Sequence, residues 1–284
     1  MASDRTSLLS CPFCGEPLRS EPGSLSCERS HSFDVARSGY VNLLPARKKL
    51  APTVGDSREM LTARRRFLET GHFTALAEEI AVVVADAVDE GAGVGRGIVE
   101  VGSGTGYYIG RVRDRLHVLN LSYFGFDISK EAVKQAARHD PRVTFVLADV
   151  KRQIPLMDGS VAALLDVFAP RNAEEFRRVL APAGSVVVAS PAPDHLKELV
   201  KRFDLLTVPD DKIDSVADEL GSTFELTERR PISYEMDLTP EEALDLIAMG
   251  PSARHVDLVR VKGELHDRLP VTASFAVQVF RPRG

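Results

Sequence analysis

The sequence predicts an α/β fold built on a parallel sheet, with a small metal-binding module ahead of it. The first observation is the stretch Ile98–Tyr108, where a β-branched strand meets three closely spaced glycines and then the start of a helix. The second is Tyr123–Asp127, another apolar strand, which ends in an acid 21 residues after Gly106. The third is the position of all three cysteines within the first 27 residues, with a histidine at position 31.

The N-terminal cluster has the spacing C-x2-C-x12-C-x3-H and consists of Cys11, Cys14, Cys27 and His31. Three cysteines cannot all pair as disulfides, whereas thiolates and imidazole are ligands that tetrahedral Zn²⁺ prefers. A segment this small buries too little apolar surface to fold alone, so a metal would stabilise it. Four protein ligands leave no open position. We therefore predict one structural Zn²⁺ per chain; three incidental cysteines are the alternative.

The segment after the cluster supplies apolar contacts for a small sheet. Its apolar residues are Phe33, Val35, Tyr40, Val41, Leu43 and Leu44. Residues 45–56 contain prolines, a glycine and three basic residues, which is typical of a linker or loop. Apolar periodicity then predicts two helices within residues 57–88, divided at Gly71. We therefore expect three parts: a zinc-binding module at 1–45, a basic linker with helices at 46–90, and an α/β domain at 91–284.

The glycine-rich stretch has the pattern E-x-G-x-G-x-G, with Glu100 as its acid. Glycine allows the backbone to turn tightly or to approach a ligand. The third glycine comes one place earlier than in the dinucleotide fingerprint G-x-G-x-x-G. An acid at the end of the next strand, Asp127, suits the two hydroxyls of a ribose. A nucleotide-binding α/β domain of another kind remains the alternative at this point.

Alternating helices and strands continue the α/β pattern. The predicted elements are helices at Tyr108–Leu116, Ser129–Ala137, Ala173–Leu180 and Leu196–Leu206, and strands at Val143–Ala148, Val161–Phe168 and Gly184–Ser190. Two alternating segments, Pro231–Leu238 and Val271–Phe280, predict antiparallel strands. A capped helix begins between them at Thr239, with proline in its first position.

Over about residues 95–192 these motifs resemble the class I (Rossmann-like) S-adenosylmethionine-dependent methyltransferases. The resemblance implies S-adenosylmethionine as the cofactor, with the glycine turn at its methionine part, Asp127 at its ribose and Asp149 near the adenine amine. The implied cofactor-binding residues are Glu100, Gly102, Ser103, Gly104, Gly106, Asp127 and Asp149. A surface turn is the alternative position for Asp149.

A closer resemblance combines the zinc cluster, the run H-x-F-D-x-A-x-x-G-Y-V-N-L-L from His31, and the class I domain. This order of parts is similar to the 23S rRNA (guanine-N1)-methyltransferases. The segments Val167–Asn172 and Met249–His255 resemble the macrolide (tylosin) resistance branch of that family. The resemblance implies methyl transfer to N1 of a guanine in a 23S rRNA hairpin near the peptide exit tunnel, and macrolide resistance.

Charge is distributed unevenly along the chain. The net charge is −5, but the first 66 residues carry +4 and the rest therefore −9. A basic N-terminal part could contact phosphates, so we expect the zinc-binding module at 1–45 to be an RNA-recognition module. The candidate RNA-binding residues are Arg47, Lys48, Lys49, Arg64, Arg65 and Arg66. Consecutive helical residues point about 100° apart, so the arginine triplet cannot face RNA as a whole. Neutralising the triplet should leave the affinity for the cofactor unchanged. The alternative interpretation is that the triplet forms a solvated helix face paired with nearby acids and does not contact RNA.

Methylation of guanine N1 also calls for a general base. Guanine N1 carries a proton at neutral pH and must lose it to attack the methyl group, so a carboxylate or histidine within reach would help. Asp166, at the end of the fourth predicted strand, is the candidate by position. A structural or cofactor-facing acid is the alternative. Arg254 and His255 are weaker candidates.

No run approaches 18 apolar residues, and the N-terminus has no signal-peptide core. We therefore expect a cytoplasmic enzyme that contacts no membrane; a homodimer is compatible with the sequence. A small-molecule methyltransferase is one alternative function, but it gives no reason for the zinc cluster. A nonenzymatic zinc-containing nucleic-acid-binding protein is another, and the intact glycine turn with Asp127 argues against it.

Overall fold

The computed structural model describes residues 6–45, 55–90, 97–116 and 121–284. Within these ranges the chain forms two sheets. The smaller is antiparallel, with strand order β1-β2-β3. Its strands are β1 (Arg19–Glu21), β2 (Ser24–Ser26) and β3 (Ser32–Asp34).

The larger sheet has eight strands in the described part of the chain, in the order β10-β11-β9-β8-β5-β6-β7-β4. Strands β4 to β9 run parallel, and β11 is antiparallel to both of its neighbours. The strands are β4 (Val41–Asn42), β5 (Gly97–Val101), β6 (Ser122–Asp127), β7 (Thr144–Leu147), β8 (Val161–Val167), β9 (Leu180–Pro191), β10 (Phe224–Leu238) and β11 (Leu269–Pro282). The alternation of helices with parallel strands confirms the predicted α/β class.

Helices cover the large sheet on both faces. They are α1 (Arg58–Glu69), α2 (Thr74–Glu90), α3 (Tyr107–Leu116), α4 (Lys130–His139), α5 (Ala173–Val179), α6 (Lys197–Phe203), α7 (Lys212–Leu220), α8 (Pro240–Ala248) and α9 (Leu258–Glu264), with a 3-10 turn at Pro251–Arg254. Predicted caps are confirmed: the Ser129 side chain accepts from Ala132 N, and Thr239 forms a capping box with Glu242. The predicted break at Gly71 is also confirmed, with φ +88°. No helix in these ranges is long and apolar enough to cross a membrane.

One face of the large sheet packs against α2, α3 and α4. Ile80 of α2, Ile109 of α3 and Val133 of α4 are fully buried there with sheet residues such as Ile98. The opposite face packs against α5, α7 and the small N-terminal module. The module is therefore one of the layers that cover the sheet.

The N-terminal module fills a place where a crossover helix would be expected. Parallel strands are usually joined through a helix, yet residues 148–160, between β7 and β8, contain none. Instead Leu9 bridges Leu156, and Met157 N donates to Leu8 O at 2.9 Å. Leu9 and Leu25 share a buried cluster with sheet residues.

Val41 and Leu43, which the sequence analysis assigned as apolar contacts for a small sheet, also pair with the large one. Val41 forms an antiparallel bridge with Val35, just after β3. Val41 pairs in parallel with Val146 at the edge of the large sheet, and Leu43 N donates to Leu147 O at 3.0 Å. The open edge of β7 offers unpaired backbone groups that these residues satisfy. The domain division at residue 45 remains a prediction, but the described residues on its N-terminal side share a core with the α/β sheet.

Candidate cofactor and metal sites

The four predicted zinc ligands lie together. Their ligand atoms are all within 4.8 Å of one another. Cys14 Sγ is 3.6 Å from Cys27 Sγ, and His31 Nδ1 is 3.5 Å from Cys11 Sγ and 3.4 Å from Cys27 Sγ. A tetrahedral Zn²⁺ with ordinary Zn–S and Zn–N bonds would separate its ligand atoms by about 3.6–3.8 Å. The donor set and its spacing therefore fit one structural zinc.

Backbone amides support the metal ligands. Gly15 N donates to Cys11 O at 2.8 Å, in a turn that requires the Gly15 φ of +76°. Burial raises the pKa of the metal-free Cys11 thiol to about 11. Burial also raises the pKa of Cys27, but amide hydrogen bonds from His31 and Arg29 outweigh it, so the pKa of Cys27 falls to about 7. Amides that donate to sulfur favour the thiolate form that binds metal.

The three glycines of the turn all adopt left-handed conformations, with φ of +63° at Gly102, +52° at Gly104 and +78° at Gly106. A Cβ at Gly102 would lie 2.6 Å from Ala169 Cβ, and a Cβ at Gly106 would lie 2.5 Å from the Phe145 ring. These two glycines are therefore required for close packing of the chain against itself.

Gly104 differs from its neighbours because its open side faces a flexible group. Within 4 Å, a Cβ there would meet only Arg64 Nη1, at 3.1 Å, among the atoms of the described chain. The Asp127 carboxylate fixes the turn through Oδ2, which accepts from Gly104 N at 2.8 Å. Its Oδ1 accepts from Ser129 N at 2.7 Å. Burial raises the pKa of Asp127, and these two amides oppose the rise. The open turn beside an acid fits the methionine and ribose parts of the cofactor.

Glu100 and Ser103, which the resemblance implied as cofactor residues, are enclosed by the fold. Glu100 is buried, and its Oε2 accepts from Ile109 N at 3.0 Å in the first turn of α3. Burial raises the pKa of Glu100 to about 8. Ser103 is also buried, and its hydroxyl has no hydrogen-bond partner in the described chain. Glu100 thus anchors α3 to the strand, and direct contact of either residue with the cofactor remains a prediction.

Asp149 follows β7, as predicted, and lies in a turn. Its Oδ1 accepts from Lys151 N at 3.3 Å, and its Oδ2 is 3.6 Å from Arg152 Nε. These contacts are local, and the contact of Asp149 with adenine remains a prediction.

Asp166 is fully buried at the end of β8. Its Oδ1 accepts from Ala169 N at 3.1 Å, and its Oδ2 is 3.8 Å from Arg171 Nη1. Burial raises the pKa of Asp166 to about 7, and the charge of Arg171 opposes the rise. These contacts give Asp166 a structural role in holding the loop after β8, and its role as a base remains a prediction.

Two aromatic groups beside this loop were missed by sequence reasoning. Phe168 is 46% exposed, has a φ of +57°, and lies 5.7 Å from Phe275 and 6.4 Å from Tyr108 between ring centres. His195 packs 4.5 Å from Phe275, and its Nδ1 accepts from Ser274 N at 3.2 Å. Burial lowers the pKa of His195 to about 4, so the neutral ring carries its proton on Nε2. An aromatic residue directly after the fourth strand was the available signal for Phe168.

The arginine triplet of α1 is divided among different partners. Arg66 makes a bidentate ion pair with Asp245, with Nε 2.7 Å from Oδ2. Arg65 is exposed, and its Nε is 3.9 Å from Glu69 Oε1. Arg64 turns toward the glycine turn. The ion pair of Arg66 with Asp245 agrees with the alternative hypothesis, in which the arginines of this helix are paired with acids. Contact of the triplet with RNA remains a prediction.

The remaining candidate residues are two in the C-terminal segment, considered for catalysis, and three in the linker, considered for RNA binding. Arg254 Nη2 donates to Gly55 O at 2.9 Å, and His255 is exposed. Neither residue is shown to take part in chemistry. Arg47, Lys48 and Lys49 lie outside the described residues.

Comparison with known proteins agrees with both sites. Residues 9–51 match the family described as RlmA, N-terminal, a zinc ribbon, and residues 98–184 match the methyltransferase domain family. A chain of the Haloferax volcanii complex of the Trm112 methyltransferase activator with a methyltransferase is 17% identical, with a TM-score of 0.51 over 82% of this chain and 98% of that chain. That likeness concerns the fold alone.

Two relatives align over nearly their whole length. The 23S rRNA (guanine(748)-N(1))-methyltransferase of Streptomyces fradiae is 41% identical over 96% of both chains. A Micromonospora griseorubida protein, assigned to 23S rRNA (guanine-N(1)-)-methylation, is 41% identical over 96% of this chain and 97% of its own. With the zinc ligands gathered and the glycine turn open to a cofactor, this chain belongs to the 23S rRNA (guanine-N1)-methyltransferase family and is an S-adenosylmethionine-dependent enzyme with a structural zinc site.

Proposed function

We propose that this enzyme methylates N1 of a guanine in a 23S rRNA hairpin near the peptide exit tunnel, and that the modification confers macrolide resistance. The observation that carries the proposal is the match of both parts of the chain, zinc ribbon and methyltransferase domain, to relatives named for this reaction. One of these relatives comes from a tylosin producer. Action on rRNA would place the enzyme in the cytoplasm.

The loop after β8 is the proposed position of the target base. Ala169 packs against Gly102 of the cofactor turn, and the adjacent Phe168 exposes its ring. A guanine must leave its stack to meet a methyl donor, and an aromatic ring offers a new surface to stack on. Phe275 and Tyr108 support the Phe168 ring from behind. We propose that Phe168 stacks on the target guanine.

The bound cofactor would supply an electrophilic methyl group on its sulfonium, so the protein chiefly aligns the reactants. The N1 proton must also leave the guanine. A group with a pKa near the working pH is suited to accept it, and Asp166 has a pKa of about 7. Because Asp166 is fully buried, the loop from Phe168 to Arg171 must shift before the carboxyl can reach the base. We propose that Asp166 is the base once this loop has moved.

RNA recognition is proposed for exposed groups ahead of the α/β domain. Arg65 is exposed on α1, and Phe13 is 57% exposed beside the zinc ligands, with its ring 5.9 Å from Phe33. Arg47, Lys48 and Lys49 remain candidates from the sequence. Phosphate contacts from arginine and base stacking on an exposed ring suit a folded hairpin.

The direct test is methylation of 23S rRNA fragments with labelled S-adenosylmethionine, followed by primer extension. A methyl group on guanine N1 blocks base pairing, so reverse transcription should stop at a single guanine. Exchange of that guanine for adenine should abolish labelling. Methylation of small molecules without any labelling of RNA would refute the proposal, and a methylated site outside the exit-tunnel hairpin would refute its finer part.

The RNA surface can be tested with a matched pair of arginines. Arg65 and Arg260 are both exposed helical residues that face a glutamate four positions later, at 3.9 and 3.7 Å. Arg65→Gln should weaken RNA binding and reduce the salt slope by about one, because one phosphate contact is lost. Arg260→Gln should change neither. Equal effects of the two variants would remove Arg65 from the proposed surface.

A further inference from the structure

Arg64 lies in the basic segment that the sequence associates with RNA, but its side chain extends to the cofactor turn. Its Nη1 lies 3.1 Å from the position that a Cβ would take on Gly104. Among the described residues, no packed core atom lies within 4 Å of that Cβ position. The guanidinium therefore lies at the open side of the turn.

Two contacts hold the guanidinium in this position. Nη1 is 2.7 Å from Asp56 Oδ2, and Nη2 donates to Met249 O at 3.0 Å. A guanidinium has five N–H donors in a fixed plane, so these contacts leave donors for a further acceptor. The Arg64 side chain is 28% exposed, which leaves it accessible to a ligand.

The surrounding charges show what kind of acceptor is needed. Glu100 and Asp127 lie close enough for the positive charge of Arg64 to lower the pKa of both, against the stronger effect of burial. The cofactor carries a sulfonium, an ammonium and a carboxylate. Asp127 lies beside the turn and suits the ribose hydroxyls. The carboxylate of the cofactor, by contrast, needs a cation. Arginine matches a carboxylate through two parallel N–H bonds.

We infer that Arg64 binds the carboxylate of the methionine part of S-adenosylmethionine, while Asp56 and the Met249 carbonyl orient the guanidinium. The helix ahead of the methyltransferase domain thus completes the cofactor site. The inference rests on the cofactor and is independent of the RNA substrate. It opposes the expectation from the sequence that neutralising the arginine triplet leaves cofactor affinity unchanged.

The test compares two ligands by calorimetry: S-adenosylmethionine and its decarboxylated form, which keeps the sulfonium and the amine. The wild-type protein should bind S-adenosylmethionine about 10–100-fold more tightly than the decarboxylated ligand. Arg64→Gln should abolish that preference by weakening S-adenosylmethionine alone, and Arg64→Lys should restore part of it. Arg260→Gln, a helical arginine remote in sequence, should retain the full preference.

Each contrary outcome has a definite meaning. Equal weakening of both ligands in Arg64→Gln would show that Arg64 only supports the turn, and would overturn the inference. So would unchanged binding of both ligands. If Arg64→Gln fails to fold, as judged by its thermal transition and zinc content, the wild-type comparison still decides: no preference for the carboxylated ligand overturns the inference. None of these readouts depends on RNA methylation, so failure of the proposed function would be seen separately.

Discussion

Replacing Gly106 by alanine should destabilise the whole protein. The new Cβ would lie 2.5 and 2.8 Å from two atoms of the Phe145 ring, which is fully buried and cannot swing into solvent. A left-handed backbone costs a residue with a Cβ about 1–2 kcal/mol, and displacement of a packed core group costs about 1–3 kcal/mol. The sum predicts a loss of about 2–5 kcal/mol. At roughly 2–4 °C per kcal/mol, the melting temperature should fall by about 4–20 °C.

Thermal unfolding by circular dichroism measures this loss, and Gly104→Ala is the matched control. Its Cβ would meet the end of the Arg64 side chain at 3.1 Å, which can move, so only the backbone cost of about 1–2 kcal/mol should appear. Gly104→Ala should instead weaken S-adenosylmethionine binding. A melting temperature of Gly106→Ala within a degree of wild type, or a loss no larger than that of Gly104→Ala, would refute the packing argument.

Three further predictions concern the metal, a buried acid and the proposed base. Cys27→Ser should reduce zinc below one per chain in metal analysis and also lower the melting temperature of the entire protein, because the module shares its core with the large sheet; full zinc occupancy would contradict the ligand assignment. Burial raises the folded-state pKa of Glu100 to about 8, above its unfolded value, so the stability that the neutral acid provides is complete at low pH and is lost as pH rises toward 8. The free energy of unfolding of wild type should therefore fall between pH 5 and 8 relative to Glu100→Gln, by up to about 1.4 kcal/mol per pH unit, and parallel denaturation curves would count against it. Asp166→Asn should reduce kcat for RNA methylation by about 10²–10⁴ with cofactor affinity unchanged; an unaltered kcat would leave Asp166 with a structural role alone.

The zinc ligands and the glycine turn were predictable because their signals are local and chemical. Ligand type and spacing placed Cys11, Cys14, Cys27 and His31 together, and the structure gathers their ligand atoms within 4.8 Å. The strand, turn and helix follow one another as predicted for Ile98–Tyr108, with the strand beginning one residue earlier, at Gly97. Residue chemistry and short spacing constrain such features before the rest of the chain is considered.

The pairing of Val41 was not predictable for a reason that concerns register. Val41 and Leu43 lie on either side of the polar Asn42, and so short a pattern fits the edge of either sheet equally well. Which edge is open depends on the strand order of the large sheet, in which β7 is the last strand before β4. A short strand carries no information about a partner 105 residues away, as Val146 is from Val41.

The roles of the arginine triplet were hidden for a related reason. The sequence presents Arg64, Arg65 and Arg66 as one block of charge. On a helix their side chains diverge, and two of them find partners more than 170 residues away, Met249 and Asp245. Composition therefore measures how much charge a segment has, whereas tertiary contacts determine what that charge is used for.

The shared core also relates the zinc to the cofactor. Val101 and Phe126 lie immediately before Gly102 and Asp127, and both are fully buried in the same cluster as Leu9 of the N-terminal module. The module covers the sheet face beneath the strand ends that form the cofactor turn, where no crossover helix is present between β7 and β8. Because metal binding stabilises a module of this size, the loss of zinc would expose the apolar face of these strands. We therefore expect removal of zinc to weaken S-adenosylmethionine binding through packing, and unchanged affinity in the zinc-free protein would contradict this expectation.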